Sequence, residues 1–455
     1  MDQRPLTAHP TEGLPLAARR LAVVVIAVST TMAVLDGTIA NVALPTIARD
    51  LLASPAASVW VVNAFQIAVA VSLLSLAALG DVIGYRRVYL AGIVVFTAGS
   101  LLCALSGTLG ALTAARVLQG FGAAAIMSVG PALYRTIYPS DQLGRALGIS
   151  ALVVAGSASA GPTLGGAILA VAPWPWLFLI NVPLGVLAAI LGWRAIPMQH
   201  ATRPRFDVPS ALMSVPGIGG LVIGIDGFAR HAPALQITAA LLLSAAFTVG
   251  FLVRQARIEV PLLPLDMFAQ RRFSLAAATS FATFVAQGLA FVALPFLLQG
   301  AMGYSPVVSG LLITPWPVTI ALVATVAGRL ADRYPPPLLS TVGLAAFAAG
   351  LAALALMPAH PAPLDIAWRC ALCGAGFGFF QSPNNRELMG SVPRERSGGA
   401  SGVLSTVRVT GQAVGAAGVA IVLARGTVAP ALWLAALAAA VATVASGIRL
   451  PGYRR

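Results

Sequence analysis

Leu21-Ala-Val-Val-Val-Ile-Ala-Val-Ser-Thr-Thr-Met-Ala-Val-Leu35 follows Arg19 and Arg20 and holds no charge. It then meets Asp36-Gly-Thr-Ile-Ala-Asn-Val-Ala-Leu-Pro45, where a single carboxylate stands inside an otherwise apolar stretch. A hydrocarbon core about 30 Å thick needs about 20 helical residues to cross it. Residues 20–43 meet that requirement. The run is too long for a cleaved signal and lacks a small-residue cleavage pattern, so it is expected to persist as a helix.

The rest of the chain is similar in character. Of 455 residues, 58% are apolar and 9% charged, and mean hydropathy is +0.89. Soluble domains average roughly 45–50% and 25%, and a wetted surface cannot conceal so much hydrocarbon. The net charge of +14 raises the question of nucleic acid. However, all 28 positive side chains are arginine and sit in short groups between apolar runs, so no phosphate-binding face is expected. Absence of lysine also excludes a P-loop and Schiff-base catalysis. Any work must draw on an ion gradient or a partner subunit. Cys103, Cys370 and Cys373 lie in apolar stretches, where cysteine packs as a small hydrophobe. His9, His200, His231 and His360 stand in the tail or loops at no ligand spacing, so neither metal nor cofactor is expected.

Reading apolar runs between charges and turns predicts fourteen spans. They are 20–43, 57–79, 88–107, 110–133, 145–171, 176–196, 208–228, 234–254, 273–299, 305–328, 337–357, 364–388, 398–424 and 428–449. This is an all-α integral membrane protein divided as 1–200, 207–256 and 257–455. With the N-terminus placed in the cytoplasm, 22 arginines fall on that side and four (Arg49, Arg230, Arg369 and Arg425) on the other. Arg116 and Arg408 lie inside spans. The positive-inside bias therefore predicts both termini to be cytoplasmic. The all-arginine, alanine-rich composition points to a bacterial source, and so to the inner membrane.

An internal echo supports a duplicated plan. Gly80-Asp81-Val-Ile-Gly84-Tyr-Arg86-Arg87 follows the second span, and Gly328-Arg-Leu-Ala-Asp332-Arg333 follows the tenth. With spans seven and eight set aside, both fall between the second and third helices of a six-helix unit. Parallel repeats of that kind hold substrate near the bilayer midplane.

Five elements, in order, carry a family resemblance. They are Leu35–Pro45, the Asp81–Arg87 loop, Arg116-Val-Leu-Gln-Gly-Phe-Gly122, Gly156 with Gly161-Pro-Thr-Leu-Gly-Gly166, and Trp174-Pro-Trp-Leu-Phe-Leu-Ile-Asn-Val-Pro-Leu-Gly185. Together they resemble the major facilitator superfamily, in its fourteen-span drug:proton antiporter branch. The resemblance implies two six-helix bundles plus an inserted helix pair, acting by alternating access. Ala77 and Val82 stand where that family usually has Gly and Arg, so the first loop copy is degenerate, while Arg333 keeps the pattern in the second.

Asp36 is the leading functional candidate, since a carboxylate costs about 2.5–3.5 kcal/mol at a helix centre. Its environment decides between charged and neutral forms, as a proton carrier requires. The alternative is that Asp36-Gly-Thr breaks the helix, with the carboxylate bonded to local backbone. Counting residues puts Arg116 at similar depth from the opposite face, and the resemblance implies that both helices line a central cavity. Asn41 and Gln119 are further cavity candidates, while most other intramembrane amides are expected to make ordinary interhelical hydrogen bonds. Asp81, Gly84, Arg86, Arg87, Asp332 and Arg333 form the expected cytoplasmic gate, or else a surface turn that obeys the charge bias. Gly156, Gly161, Pro162, Gly165 and Gly166 form the antiporter motif. Its glycines four apart allow close backbone contact, and the helix is expected to pack tightly against the other half as a seal or pivot, or else to make plain glycine packing with no gating role.

Proton-coupled export of hydrophobic or amphipathic small molecules, by a monomer with protons and lipid as its other partners, is the preferred expectation. A metabolite transporter and a transport-inactive membrane sensor or assembly protein are the alternatives; an enzyme is not expected.

Overall fold

The computed structural model describes residues 13–139, 141–199, 206–259, 261–358, 360–393 and 397–450. Arg4, Arg203, Arg205, Arg394, Arg396, Arg454, Arg455, His9 and His200 lie outside the described residues. Among the described residues fourteen long helical segments follow one another. They are α1 (Leu16–Asp50), α2 (Pro55–Ile83), α3 (Tyr85–Ala104), α4 (Leu109–Ile137), α5 (Leu143–Val171), α6 (Trp176–Ala195) and α7 (Val208–Ala229). Then come α8 (Ala234–Gln255), α9 (Arg271–Ala301), α10 (Pro306–Leu330), α11 (Pro336–Ala355), α12 (Pro363–Gly390), α13 (Ser397–Leu423) and α14 (Ala429–Gly447).

Thirteen of these are long and apolar enough to cross a membrane. The remaining one, α12, has 28 residues and holds Asp365, Arg369, Arg386 and Glu387. Its length, roughly 42 Å at 1.5 Å per residue, matches the others. Asp365 pairs with Arg369 on the same helix, Arg369 also donates to the Ala353 carbonyl of α11, and Arg386 pairs with Asp332 beyond the end of α10. Arg449, counted in the sequence among the loop arginines, folds inward. It is buried and donates to Glu387 Oε2 and Asn384 Oδ1 of α12, each at 2.8 Å.

Packing repeats between α1–α6 and α9–α14. In the first set α3 lies on α4, α2 on α4, and α1 on α5 and α6; in the second, α11 lies on α12, α10 on α12, and α9 on α13 and α14. Glycine makes the closest of these contacts possible. Gly92 and Gly122 let α3 and α4 meet backbone to backbone, and Gly343 and Gly376 do the same for α11 and α12. A methyl at any of the four would collide with the facing chain.

The two sets meet along α2–α13, α5–α10 and α1–α9. The inserted α7 leans on both. Ser214 Oγ donates to the Val71 carbonyl of α2 at 2.9 Å, and Val222 packs with Ala413 and Ala417 of α13. α8 leans on α7 and buries little else. Asp207, the N-cap of α7, takes Arg254 at the end of α8 at 2.8 Å and so ties the pair together.

Candidate functional site

α1 runs unbroken through Asp36-Gly37-Thr38, so this triplet does not end the helix. Thr38 Oγ1 donates to the Leu35 carbonyl at 2.9 Å, which keeps its hydroxyl satisfied within the helix. The Asp36 carboxylate instead turns inward, where it is 1% exposed. Its bonds go to other helices, and the alternative of a locally bonded carboxylate is thereby set aside. Arg116 Nη1 of α4 donates to Oδ2 in a buried ion pair. Gln119 Nε2 and Asn181 Nδ2 donate to Oδ1 at 2.8 and 3.1 Å.

Arg116 is fully buried. Its Nε donates to the Val61 carbonyl of α2 at 2.9 Å and its Nη1 also to Gln119 Oε1 at 2.5 Å. The guanidinium lies over the rings of Phe65 and Phe178, 4.2 and 5.5 Å from their centroids. Its Nη2 is buried without a hydrogen-bond partner among the described residues. Gln119 also donates to Ser100 Oγ of α3 at 2.8 Å, and Cys103 Sγ donates to Gln119 Oε1 at 3.6 Å. The cluster thus joins five helices of the first set. The desolvation cost of such a pair is offset by its further hydrogen bonds, which here reach every polar atom of the two side chains except Arg116 Nη2.

In this conformation Asp36, Arg116 and Gln119 sit in the interior of the first half rather than on an open central wall. Asn41 does not join them. Its amide donates to the Gly37 carbonyl at 3.4 Å, and its Oδ1 is buried without a partner among the described residues, as are both polar atoms of Asn63 and Gln66 Oε1. Asn181 and Ser100 were not singled out in the sequence. The Asn in Leu-Ile-Asn-Val-Pro was the available signal for the first; Ser100 had none.

The antiporter motif divides its contacts. Gly161 and Gly165 press on Thr38 and Ile39 of α1, within the same half. Only Gly166 faces the other half, at Pro306 and Val307, while the Pro162 carbonyl meets Gly310 of α10. The helix therefore packs against the other half through Gly166 and Pro162, while the Gly161–Gly165 pair makes its close contact within its own half. Residues four apart share a helix face, and that face belongs to α1. Thr163 and Thr314 join by their hydroxyls, and Gln299 Nε2 donates to the Val42 carbonyl at 2.8 Å. These contacts close the halves together at the end away from the termini. At Gly156 an added methyl would meet nothing within 4 Å.

The expected gate residues lie at the other end. Gly84 makes the α2–α3 turn at φ +95°, a conformation glycine tolerates without strain. Asp81 accepts from Tyr85 Oη at 2.5 Å. Arg86 donates to the Trp193 carbonyl and stacks on that ring at 5.4 Å, and Arg87 donates to the Ile83 carbonyl at 3.4 Å. Both arginines thus engage their own half. Asp332 accepts from Arg386, both exposed, and Arg333 is exposed beside them.

The chain belongs to the Major Facilitator Superfamily, whose family model matches residues 26–416. It is 52% identical to the uncharacterized transporter YebQ of Escherichia coli K12 over 96% of this chain and 97% of that one. It is 30% identical to the riboflavin transporter RibZ of Clostridioides difficile 630, covering 87% and 86%. It is 34% identical to the multidrug resistance protein Stp of Mycobacterium tuberculosis, covering 86% and 74%. Among solved structures it matches a bacterial homologue of the human lysosomal transporter Spinster, described as inward-facing and unoccupied. That match has TM-score 0.69 and 16% identity and covers 96% of this chain and 99% of that one. The chain is a multi-pass membrane transporter of this superfamily.

Proposed function

We propose that this transporter exports hydrophobic or amphipathic small molecules in exchange for protons, with Asp36 as the proton carrier and no cofactor beyond the gradient. The observation that supports this most directly is the buried Asp36–Arg116 pair, closed by Gln119 and Asn181. Protonating Asp36 leaves the buried Arg116 charge without its counter-ion. Removing one partner of a buried pair costs about 3–5 kcal/mol. A two-state equilibrium moves from 1:99 to 99:1 for about 5.5 kcal/mol. One proton therefore supplies most of what a switch between the two faces requires.

The orphaned Nη2 of Arg116 is the donor that takes a replacement partner when the carboxyl is neutral. With the termini placed in the cytoplasm of a bacterial cell, as the arginine distribution predicts, the closed end described above is the outer one. The chain works as a monomer whose partners are substrate, protons and lipid, with no nucleic acid. The similarity to Stp supports drug efflux; the similarity to RibZ supports the second reading, transport of a metabolite on the same scaffold.

The test is transport in proteoliposomes with an imposed pH gradient, run over a panel that includes drugs and riboflavin. Drug accumulation driven by the gradient, lost in Asp36→Asn, is the expected result. Unchanged gradient-driven transport in that variant would remove Asp36 from the mechanism. Riboflavin movement without drug movement would favour the second reading.

A further inference from the structure

A groove on the outer surface of the first half plays no part in the mechanism above. It has a volume of about 850 Å³ and lies between α3 and α6, at the end that bears the termini. Arg86 and Arg87 stand at its mouth, and Leu90, Val94, Ala189 and Trp193 form its walls. Its floor is built rather than incidental. The Gly84 turn brings the Arg86 backbone N–H to Gln199 Oε1 at 3.1 Å, while Arg86 itself rests on Trp193.

Charge in the groove has one sign. Among the described residues no carboxylate lines it and none pairs with Arg86 or Arg87. Arg194, exposed on the next residue after Trp193, adds a third cation nearby. The walls are apolar and open toward the surrounding lipid, with Trp193 69% and Val94 57% exposed. Arg87 to Val94 spans roughly 10 Å along the helix axis at 1.5 Å per residue. That distance leads from the polar boundary well into the acyl region. Guanidinium groups match phosphate oxygens in geometry, and basic pockets between spans suit anionic headgroups. A soluble anion would use the mouth alone and leave the apolar walls without a role.

We infer that this groove binds one anionic phospholipid, its phosphate against Arg86 and Arg87 and an acyl chain along Leu90, Val94 and Ala189. The site stands whether or not the chain exports drugs.

Trp193 reports on it directly. Purified full-length protein in neutral detergent is titrated with brominated phosphatidylglycerol or brominated phosphatidylcholine, and tryptophan fluorescence is followed. The anionic lipid is expected to quench a fraction of the signal from the seven tryptophans at concentrations where the zwitterionic lipid does not. Each interfacial arginine contributes about fivefold in lipid affinity, so Arg86→Gln with Arg87→Gln should weaken the effect at least about tenfold. Trp193→Phe should abolish the quenched fraction. Ala91→Phe, which fills the groove and leaves all charges in place, should reduce quenching as the arginine variant does. Removing Arg329 and Arg333 in the other half should leave it intact. Equal quenching by both lipids, or a difference that survives in Trp193→Phe, would overturn the assignment. So would a loss as large in the Arg329/Arg333 variant.

Discussion

The cores of the two halves share a packing register yet hold opposite chemistry at the same place. In the first half Gly122 lies against the backbone of Phe96 and the carbonyl of Gly92. In the second, Gly376 lies against Phe347 and Gly343 in the same way. One turn further along, Gly99 faces Gln119, and its counterpart Gly350 faces Cys373. Gly120 meets the Phe65 carbonyl and Gly374 the Trp316 carbonyl. Arg116 and Gln119 therefore correspond to Cys370 and Cys373. The Cys-x-x-Cys of α12 occupies the register that the ion pair uses in α4.

Both cysteines are buried and free, among the rings of Trp316, Phe347, Phe377 and Phe380. Those rings pack edge-on, with Trp316–Phe347 and Phe347–Phe377 centroids 5.7 and 5.6 Å apart. Glycine contacts fix the backbone in both halves, so the side chains between them can differ without altering the helix spacing. One half uses that freedom for an ionisable pair and the other for an inert core.

The largest effect should come from breaking the pair on one side only. Arg116→Ala should destabilise the protein by about 3–5 kcal/mol in denaturant titrations. Adding Asp36→Asn should recover part of that loss, because the two residues act as one unit. Asn181→Ala, which removes one charged-group hydrogen bond, should cost about 1.5–3 kcal/mol and move the pH profile of gradient-driven transport. Gly122→Ala and Gly376→Ala should cost similar amounts, about 1–3 kcal/mol each from overpacking. A large difference between them would break the structural equivalence of the halves. Cys370→Ala should cost only about 0.8 kcal/mol, the value of one buried methylene-sized group, with transport unchanged.

The inserted pair should give the smallest effect, visible only in acid. Burial alone would raise the Asp207 carboxyl, but hydrogen bonds from Arg254 and Ser210 outweigh it and hold the group below its usual range. A depressed carboxyl contributes stability that is complete above its unfolded value, near pH 4, and lost as pH falls through its folded value. Thermal unfolding of wild type should therefore weaken below about pH 4 more than that of Asp207→Asn, with the two converging in their pH dependence above it.

Much of this was legible in the chain. Residue counting put Asp36 and Arg116 at one depth, and the structure joins them. The helix ends were harder to read, since α1 extends from Leu16 to Asp50 through Pro45. Asn181 lay in a quoted motif, but an amide in an apolar run signals only that it needs a partner, not which one. The glycine motif showed close packing without showing against what, because one helix has several faces and this one meets both α1 and α10. The correspondence of Arg116 with Cys370 could not be read at all. It rests on which glycine meets which backbone across two helix pairs, and no spacing along the chain encodes that.

Membrane insertion was settled by the amino-acid sequence alone, and thirteen of the fourteen expected spans are apolar enough to be read one by one. Transfer of a helix into hydrocarbon is close to a sum over its own residues, so each segment announces itself without reference to the others. Only the tertiary structure decided which buried polar groups meet and on which side the halves close. Hydrogen bonds depend on the rotation and depth of one helix against another, and those are properties of the packed bundle rather than of any single strand of text within it.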